Sequence, residues 1–434
     1  MNNVTGQRHW FQELLQLNSD AAMTVSAGDF SAIQQKARQN LGQLPVPDRR
    51  QETWRYSDLS KLYQRMFRVS SEPFTALQEN DIDDWVYSKK DSYRLVLVNG
   101  QLLPRLSHLA GLPEQVKLTG FSQLSAYERA WASEYLQQQD DYREDPFAQI
   151  NRALMQDGLY LHLAQNTTLD KPIEVVYVNL SNQEQLLAQP SSLIILEQGA
   201  RAQLIERYVS LGSSEYFFNG MTDILLRQQA QLRHQRIQQE SPNAYHLSRI
   251  ALKQLDYSDY QVVNISTGAA WSRSDFRVQL DGIGAESDLQ GVYTVGDSQY
   301  NDVHLDVAHN VAHCRSQENF RGIIHGQGKA VFDGRILVAR DAQKTDAQLS
   351  NKNLLLVEDA EVNTKPQLEI FADDVKCTHG STVGQLDDLG VFYLRSRGIG
   401  EEAARSLLTY AFAADIVERI TVPQVRQELE EFLF

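Results

Sequence analysis

Cysteine is scarce in this sequence: of 434 residues, only Cys314 and Cys377 carry a thiol. Two cysteines cannot build the disulfide framework that stabilises many small secreted domains, so a reducing compartment is expected. No window of about 18 residues is free of charged side chains, which argues against a membrane-spanning helix. The first residues, MNNVTGQRHWFQELLQLN, lack the apolar core of a signal peptide. These absences predict a cytoplasmic protein that is not associated with a membrane.

Basic side chains are outnumbered, since 41 Lys and Arg stand against 56 Asp and Glu, for a formal net charge of −15. Such an acidic surface repels phosphate backbones, so no nucleic acid partner is expected. The sequence also lacks the GxxxxGK[ST] loop of nucleotide hydrolases, the GxSxG turn of serine hydrolases and the HExxH helix of zinc proteases. Ordinary hydrolase chemistry therefore has no support in the sequence.

The pattern of apolar residues divides the chain into three regions. Residues 1–150 are predicted to form a mainly helical N-terminal domain, interrupted by YRLVLVNGQLLP, whose Asn-Gly pair predicts a β-hairpin. Residues 151–385 are a succession of short β-rich runs with no long amphipathic helix between them, which disfavours alternating βαβ units. Residues 386–434 return to helical spacing and are predicted to form a helical C-terminal tail.

Small turn residues recur through the central region, mostly at intervals close to multiples of fifteen. They are Gly199, Gly268, Gly284, Gly328, Asp359 and Asp373. Such a repeat is typical of stacked short strands, in which each coil buries its inward side chains against its neighbours. We predict a mainly β fold with a parallel β-helix (β-solenoid) core, flanked by α-helical N-terminal and C-terminal regions. A β-sandwich would give a similar set of strands and remains the alternative.

One segment near the end of the central region contains a candidate metal site. On a strand, Cys377 and His379 lie two residues apart and so point to the same side. A soft thiolate and a borderline imidazole suit iron, zinc or an iron–sulfur cluster. Such centres usually need four ligands, and the chain has no CxxC motif, so a second chain would have to complete the site. The alternative is a buried cysteine that packs as a small hydrophobe.

A second group of candidate ligands occurs in VHLDVAHNVAHCR. On an unbroken strand, His309 and His313 would share a face and Cys314 would lie on the other. A metal site built from this segment would need a bend or a bulge. Half-buried histidines that are hydrogen-bonded to their neighbours are therefore the favoured interpretation.

The asparagines and the proline that precede Cys377 have structural interpretations. Asn351, Asn353 and Asn363 are typical of solenoid turns, where their side chains can bond the local backbone. Pro366 suits the first residue of a strand. We expect these residues to shape the fold and not to bind a ligand.

Several long segments resemble the SufB/SufD family of iron–sulfur cluster assembly proteins. They are KTDAQLSNKNLLLVEDAEVNTKPQLEIFADDVKCTHGSTVG (Lys344–Gly384), the following LDDLGVFYLRSRGIGEEAARSLLTYAFAADIV, PDRRQETWRYSDL (Pro47–Leu59) and SQENFRGIIHGQGKAVFDGRI (Ser316–Ile336). SufB-type chains carry more cysteines and a His-Glu pair where this chain has His379-Gly380. The resemblance is therefore to the SufD-type branch, and cluster building of the SufB kind is not expected.

The resemblance implies a right-handed parallel β-helix and a non-catalytic scaffold subunit. It implies pairing with a SufB-like paralogue through the β-helix, and docking of a SufC-like ABC-type ATPase on the helical tail, where Leu407, Leu408 and Phe412 occupy the apolar face. Cys377 and His379 would be this chain's share of a site at the interface between the paralogues. No cofactor would be tightly bound; iron or an iron–sulfur cluster would be shared transiently. The isolated chain could dimerise with itself.

Two other functions remain open. A β-solenoid enzyme, such as a polysaccharide lyase or an acyltransferase, is disfavoured because the sequence has no dense acidic calcium site and no strict hexapeptide repeats. A purely architectural subunit would hold the ATPase while its paralogue supplied every metal ligand. Replacement of Cys377 and His379 would distinguish this role from a shared metal site.

Overall fold

The computed structural model of the chain describes residues 9–19, 30–70, 77–87, 91–138, 142–180, 185–213, 215–423, 425–427 and 430. Its α-helices are α1 (Trp10–Leu17), α2 (Ser31–Leu41), α3 (Ser60–Tyr63), α4 (Ala126–Gln138), α5 (Pro146–Leu154), α6 (Asp388–Ser396) and α7 (Glu401–Val417). Short 3-10 helices span Glu52–Trp54, Glu79–Asp81, Asp83–Trp85, Pro104–Leu106 and Phe121–Gln123. No helix within the described ranges has the length and apolar character needed to cross a membrane.

The strands make up most of the central region. They are β1 (Arg68–Val69), β2 (Tyr93–Val98), β3 (Gln101–Leu102), β4 (Val116–Gly120), β5 (Leu159–Leu163), β6 (Ile173–Asn179), β7 (Leu186–Ala188), β8 (Ser191–Leu196), β9 (Arg201–Ser210), β10 (Tyr216–Leu226), β11 (Gln231–Glu240), β12 (Tyr245–Gln254), β13 (Asp259–Gly268), β14 (Trp271–Leu280), β15 (Glu286–Val295), β16 (Tyr300–His309), β17 (Arg315–Ile324), β18 (Lys329–Val338), β19 (Asp346–Leu355), β20 (Glu361–Ile370) and β21 (Lys376–Gly384).

These strands build a parallel solenoid with two faces. From β8 onward the even-numbered strands form sheet A and the odd-numbered strands form sheet B, so each strand pairs with the next but one along the chain. In sheet B, Asp259 pairs with Glu286, Glu286 with Arg315, and Arg315 with Asp346, which are 27, 29 and 31 residues apart. One coil therefore holds two strands, and the predicted β-solenoid with its interval near fifteen is confirmed.

The hydrophobic core lies between the two sheets, where alternate residues of each strand point inward. Some inward positions are polar. The carboxylate of Glu206 is fully buried and contacts His234 Nε2 at 3.0 Å and Arg236 Nε at 3.2 Å. Although burial opposes ionisation, these two partners hold the pKa of Glu206 at about 2. The solenoid interior thus accommodates the charge of Glu206 because a histidine and an arginine contact it.

The N-terminal region covers the outer face of sheet A. Helices α1 and α5 pack their aromatic side chains, Trp10, Phe11 and Phe147, against Phe217 of β10. The predicted hairpin is confirmed by the antiparallel pair β2–β3, whose turn residues Asn99 and Gly100 have φ of 54° and 83°.

The segment Pro47–Leu59 lies across the outer face of sheet A. The ring of Trp54 lies 3.9 Å from the Arg273 guanidinium, and Glu52 pairs with Lys365 of β20 at 2.6 Å. Beside this segment is a groove of about 1020 Å³ whose acidic and basic side chains alternate across β14, β16, β18 and β20. The contacts assign the segment a structural role that links the N-terminal region to successive coils.

The C-terminal tail covers the outer face of sheet B. The apolar side of α7, including Ala413, Ile416 and Val417, packs against isoleucines and valines of sheet B. The Arg321 guanidinium bonds Asp415 at 2.6 Å, and this ion pair fastens the helix to β17. The most apolar side of α7 is therefore buried against the solenoid.

The prediction that these asparagines lie in solenoid turns is wrong, because all three lie within strands. Asn351 and Asn353 are buried within β19, where Asn353 Nδ2 donates to Asn351 Oδ1 at 2.6 Å. Asn363 lies within β20. Their amides satisfy one another or neighbouring groups along the solenoid, a pairing that depends on strand register and is invisible in the sequence. Pro366 lies in the middle of β20 and not at its start, which is tolerated because β20 is an edge strand.

Candidate functional site

In the part of the chain that the structure describes, the solenoid ends in a coil on which no further coil stacks. Strands β20 and β21 are the outermost strands of sheets A and B, so each has a neighbouring strand on one side only. Every residue of β20 is at least partly exposed, whereas the strand before it in sheet A, β18, is largely buried. We call β20 and β21 together the terminal coil. Its inward-facing side chains lie at a surface because the layer that would bury them is missing.

Cys377 and His379 lie on the inward side of this terminal coil. Strand β21 pairs with β19 so that Cys377 is in register with Ala347 and His379 with Leu349. Ala347 and Leu349 belong to the hydrophobic core, and Cys377 packs against that core. The two candidate ligands therefore face the same way, as their spacing predicts, with the thiol half-buried and the imidazole exposed.

The two cysteines have different environments. Cys314 is fully buried, and its thiol donates to the Gly282 carbonyl at 3.2 Å. Cys377 is only partly buried, and burial raises the pKa of its thiol above the ordinary value. Because a metal binds the thiolate, Cys377 is the thiol that combines access with the capacity to ligate.

The histidine segment does not form a metal site. Strand β16 ends at His309, and His313 follows in a turn with φ of 65°, so they do not share a strand face. His309 is fully buried, with Nε2 2.9 Å from Ser316 Oγ, and burial lowers the pKa of its imidazole to about 4. Within the ranges the structure covers, no group of three or more His, Cys, Asp or Glu side chains is placed to hold a metal ion. The terminal coil therefore offers two ligands of its own.

Exposed apolar side chains accompany the two ligands. Ile370 and Phe371 at the end of β20 are 39% and 63% exposed, and Val383 of β21 is 49% exposed. The same strands present backbone groups that no neighbouring strand pairs on their outer side. Apolar side chains next to an open sheet edge are typical of a surface that contacts another protein. The sequence pattern did not indicate these three residues.

Leu407, Leu408 and Phe412, the tail residues predicted to contact a partner, differ in how far they are exposed. Leu407 is 47% exposed. Leu408 packs beside Gly390 of α6, and Phe412 is half-buried against the outer face of sheet B with the Arg321 guanidinium 5.4 Å from its ring. Of the three, Leu407 is the one available to a partner.

Helix α6 exposes a larger apolar surface than α7. Leu389, Phe392 and Tyr393 are 77%, 71% and 56% exposed and lie at helical spacing on one side. We call these three residues the tail face. The sequence reasoning missed them, although the apolar run in DLGVFYL was visible, because a helix that packs on a core gives the same pattern.

Two family models match this chain. Residues 179–412 match the model described as SUF system FeS cluster assembly, SufBD core domain, and residues 6–175 match the SufBD protein N-terminal region. The two matches together cover most of the chain, including the solenoid and much of the tail.

Similar proteins carry related names. An iron–sulfur cluster assembly SufBD family protein of Synechocystis sp. is 31% identical over 427 residues, which cover 96% of this chain and 94% of that protein. The iron–sulfur cluster assembly protein SufD of Escherichia coli is 31% identical over 399 residues, covering 91% and 90%. The SufD of Bacillus subtilis is 23% identical over 394 residues, covering 89% and 88%.

Proposed function

The chain belongs to the SufBD family of iron–sulfur cluster assembly proteins, and we propose that it acts as a SufD-like scaffold subunit without catalytic activity of its own. In this role Cys377 and His379 supply part of a metal site that a SufB-like paralogue completes, and iron or a nascent cluster is the cargo. The observation that carries the proposal is the terminal coil, whose inward side holds Cys377 and His379 at a surface, with no third His, Cys, Asp or Glu placed to join them among the described residues.

The terminal coil has the features that pairing with a second solenoid requires. The outer sides of β20 and β21 can each accept a further strand, so a paralogue with the same architecture could extend both sheets at once. Burial of Phe371, Ile370 and Val383 would add a hydrophobic contribution to the backbone hydrogen bonds. A second copy of this chain could bind in the same way when the paralogue is absent.

Metal capture at this surface requires loss of a proton. Cation binding replaces the hydrogen of the Cys377 thiol, so the products are a thiolate–metal bond and a released proton. Because burial raises the pKa of this thiol, the uncharged form prevails at neutral pH and affinity should rise as the pH increases. The imidazole of His379 is exposed, so a cation can reach it from solvent.

The ATPase partner is assigned to the helical tail. The apolar side of α7 is buried against the solenoid. A docking protein would therefore contact Leu407 and the tail face of α6. Large exposed aromatic side chains on a short helix are frequent contributors to binding energy at protein interfaces. Their position supports a SufC-like ABC-type ATPase as the partner of this region.

Co-expression tests the proposal. The chain should co-purify with a SufB-like paralogue and a SufC-like ATPase, and the complex should contain iron and sulfide. The double variant Cys377→Ser, His379→Ala should lower the metal and sulfide content at least several-fold without loss of the partners. Cys314→Ala is the matched control, since its thiol is buried and should not affect the cargo.

The outcomes separate the alternatives. If the double variant keeps full metal and sulfide content, the chain is an architectural subunit and the shared site is wrong. If the wild-type chain associates with neither partner, the scaffold role itself is wrong.

A further inference from the structure

A buried acid lies inside the solenoid, beneath His379 of the terminal coil. Glu318 is on β17, in register with Leu289 of β15 and Leu349 of β19, both of which are core residues. Its side chain therefore points into the solenoid interior. The next residue in the same column is His379 of the terminal coil, which pairs with Leu349. Leu349 thus stands between Glu318 and His379.

Glu318 lacks the partners that buried carboxyl groups normally have. It is 0% exposed, and its carboxyl forms no ion pair among the described residues; the polar side chain beside it is that of Ser316, whose hydroxyl lies 2.9 Å from His309 Nε2. By contrast, Glu206 deeper in the same interior is bonded to a histidine and an arginine. A buried polar group without partners opposes folding, so its presence calls for a role other than stability.

The surroundings keep this carboxyl neutral. Burial raises the pKa of Glu318 to about 8; Ser316 counteracts the rise and the negative charge of Asp288 on β15 adds to it. The other titratable groups near the column are His309, whose imidazole contacts Ser316, Asp346 on β19, and Cys377 and His379 on β21. At pH 7 the neutral acid therefore predominates.

The charge of Glu318 is coupled to the charge held at the terminal coil. Glu318 and His379 lie in one inward-facing column with Leu349 between them, so two strand spacings, roughly 10 Å, separate them. At an effective dielectric constant of about 20, a unit charge at that distance changes the ionisation constant about tenfold. A positive charge held at the terminal coil therefore favours the ionised form of Glu318, and the coupling is reciprocal.

We propose that Glu318 is a charge-compensating residue for cation capture at Cys377 and His379: it is neutral in the empty chain and releases its proton when a divalent cation binds. Binding then displaces the proton of the Cys377 thiol and, with a tenfold coupling, about half a proton on average from the Glu318 carboxyl near pH 7.5. The thiolate and the carboxylate balance the two positive charges of the ion. Glu318 is not a ligand, because Leu349 separates it from the terminal coil. This inference rests on the proposed function.

The test uses the full chain in complex with its paralogue and Co²⁺ as the probe. Thiolate-to-cobalt absorption reports the affinity, and calorimetry in two buffers of different ionisation enthalpy reports the protons released. The variant Glu318→Gln keeps the shape of the neutral acid but cannot ionise. The control Glu358→Gln alters an exposed acid in the turn before β20.

The expected result is a ratio of wild-type to Glu318→Gln affinity that depends on pH. With a tenfold coupling, the ratio should be close to one near pH 6 and about fivefold near pH 8, because only the wild type gains a carboxylate. The variant should release fewer protons per Co²⁺, by about half a proton near pH 7.5, where a tenfold coupling has its largest effect. Glu318→Asp should restore part of the pH dependence, and Glu358→Gln should match the wild type.

Two results would overturn the inference, and they are distinguishable. An affinity ratio that is the same at pH 6 and pH 8, with equal proton release, would show that Glu318 stays neutral while the Cys377 site remains intact. If the cobalt absorption is absent, or is unchanged by Cys377→Ser, the proposed metal site fails and this inference fails with it.

Discussion

Cys314 and Cys377 are chemically identical and differ only in where the solenoid places them. Cys314 donates to a backbone carbonyl in a filled interior, whereas Cys377 lies in a coil with nothing above it. Reactivity at the residue scale therefore follows from position along the stack.

Alkylation of the native chain with iodoacetamide should modify Cys377 and leave Cys314 unmodified. Because the pKa of Cys377 is raised, the rate should increase with pH through and above the usual thiol range. Binding of the paralogue should slow the reaction at least tenfold. Mass spectrometry of tryptic peptides identifies the site, with Cys377→Ser as the control. Equal labelling of both thiols would contradict the difference in burial.

The sequence predicted the relative direction of two side chains where their spacing on a strand alone determines it. The two-residue interval between Cys377 and His379 fixes a common side on any strand. Glu318 could not be found in this way, because an acid between two polar residues, Gln317 and Asn319, gives no sign of burial and acids are usually exposed. Only the register with Leu289 and Leu349 shows that it points inward.

At the scale of elements, the same kind of apolar pattern has two outcomes in the tail. Helix α7 buries its apolar stripe on sheet B, and α6 leaves Leu389, Phe392 and Tyr393 exposed. Helical periodicity predicts that an apolar face exists but not which surface covers it. For this reason Phe412, an expected partner contact, packs within its own chain.

Replacement of Phe392 should weaken ATPase binding without unfolding the chain. We expect Phe392→Ala to reduce affinity about tenfold or more, since exposed aromatic anchors often contribute about 2 kcal/mol or more to an interface. Its thermal midpoint should stay close to that of the wild type because Phe392 is 71% exposed. Tyr127→Ala, at an 81% exposed residue of α4, is the control. Calorimetric titration with the ATPase gives the affinity, and unchanged binding would remove α6 from the interface.

At the scale of the whole molecule, the fold class could be predicted because a solenoid repeats one local rule. Turn residues such as Gly268 and Gly284 mark the corners, and both have positive φ. The accessibility of the terminal coil could not be predicted, since it depends on a missing neighbour and not on the residues of β20 and β21. Asn351 shows the same limit: its buried partners come from other coils.

The proposed function depends on an incomplete metal site at the terminal coil that another chain completes. The most direct measurement is a Co²⁺ titration, followed by thiolate-to-cobalt absorption, of the chain alone, the paralogue alone and their equimolar mixture. We predict that a tight site dependent on Cys377 exists only in the mixture and is lost in Cys377→Ser but not in Cys314→Ala. Equally tight binding by the chain alone, or a site in the mixture that ignores Cys377→Ser, would contradict the account.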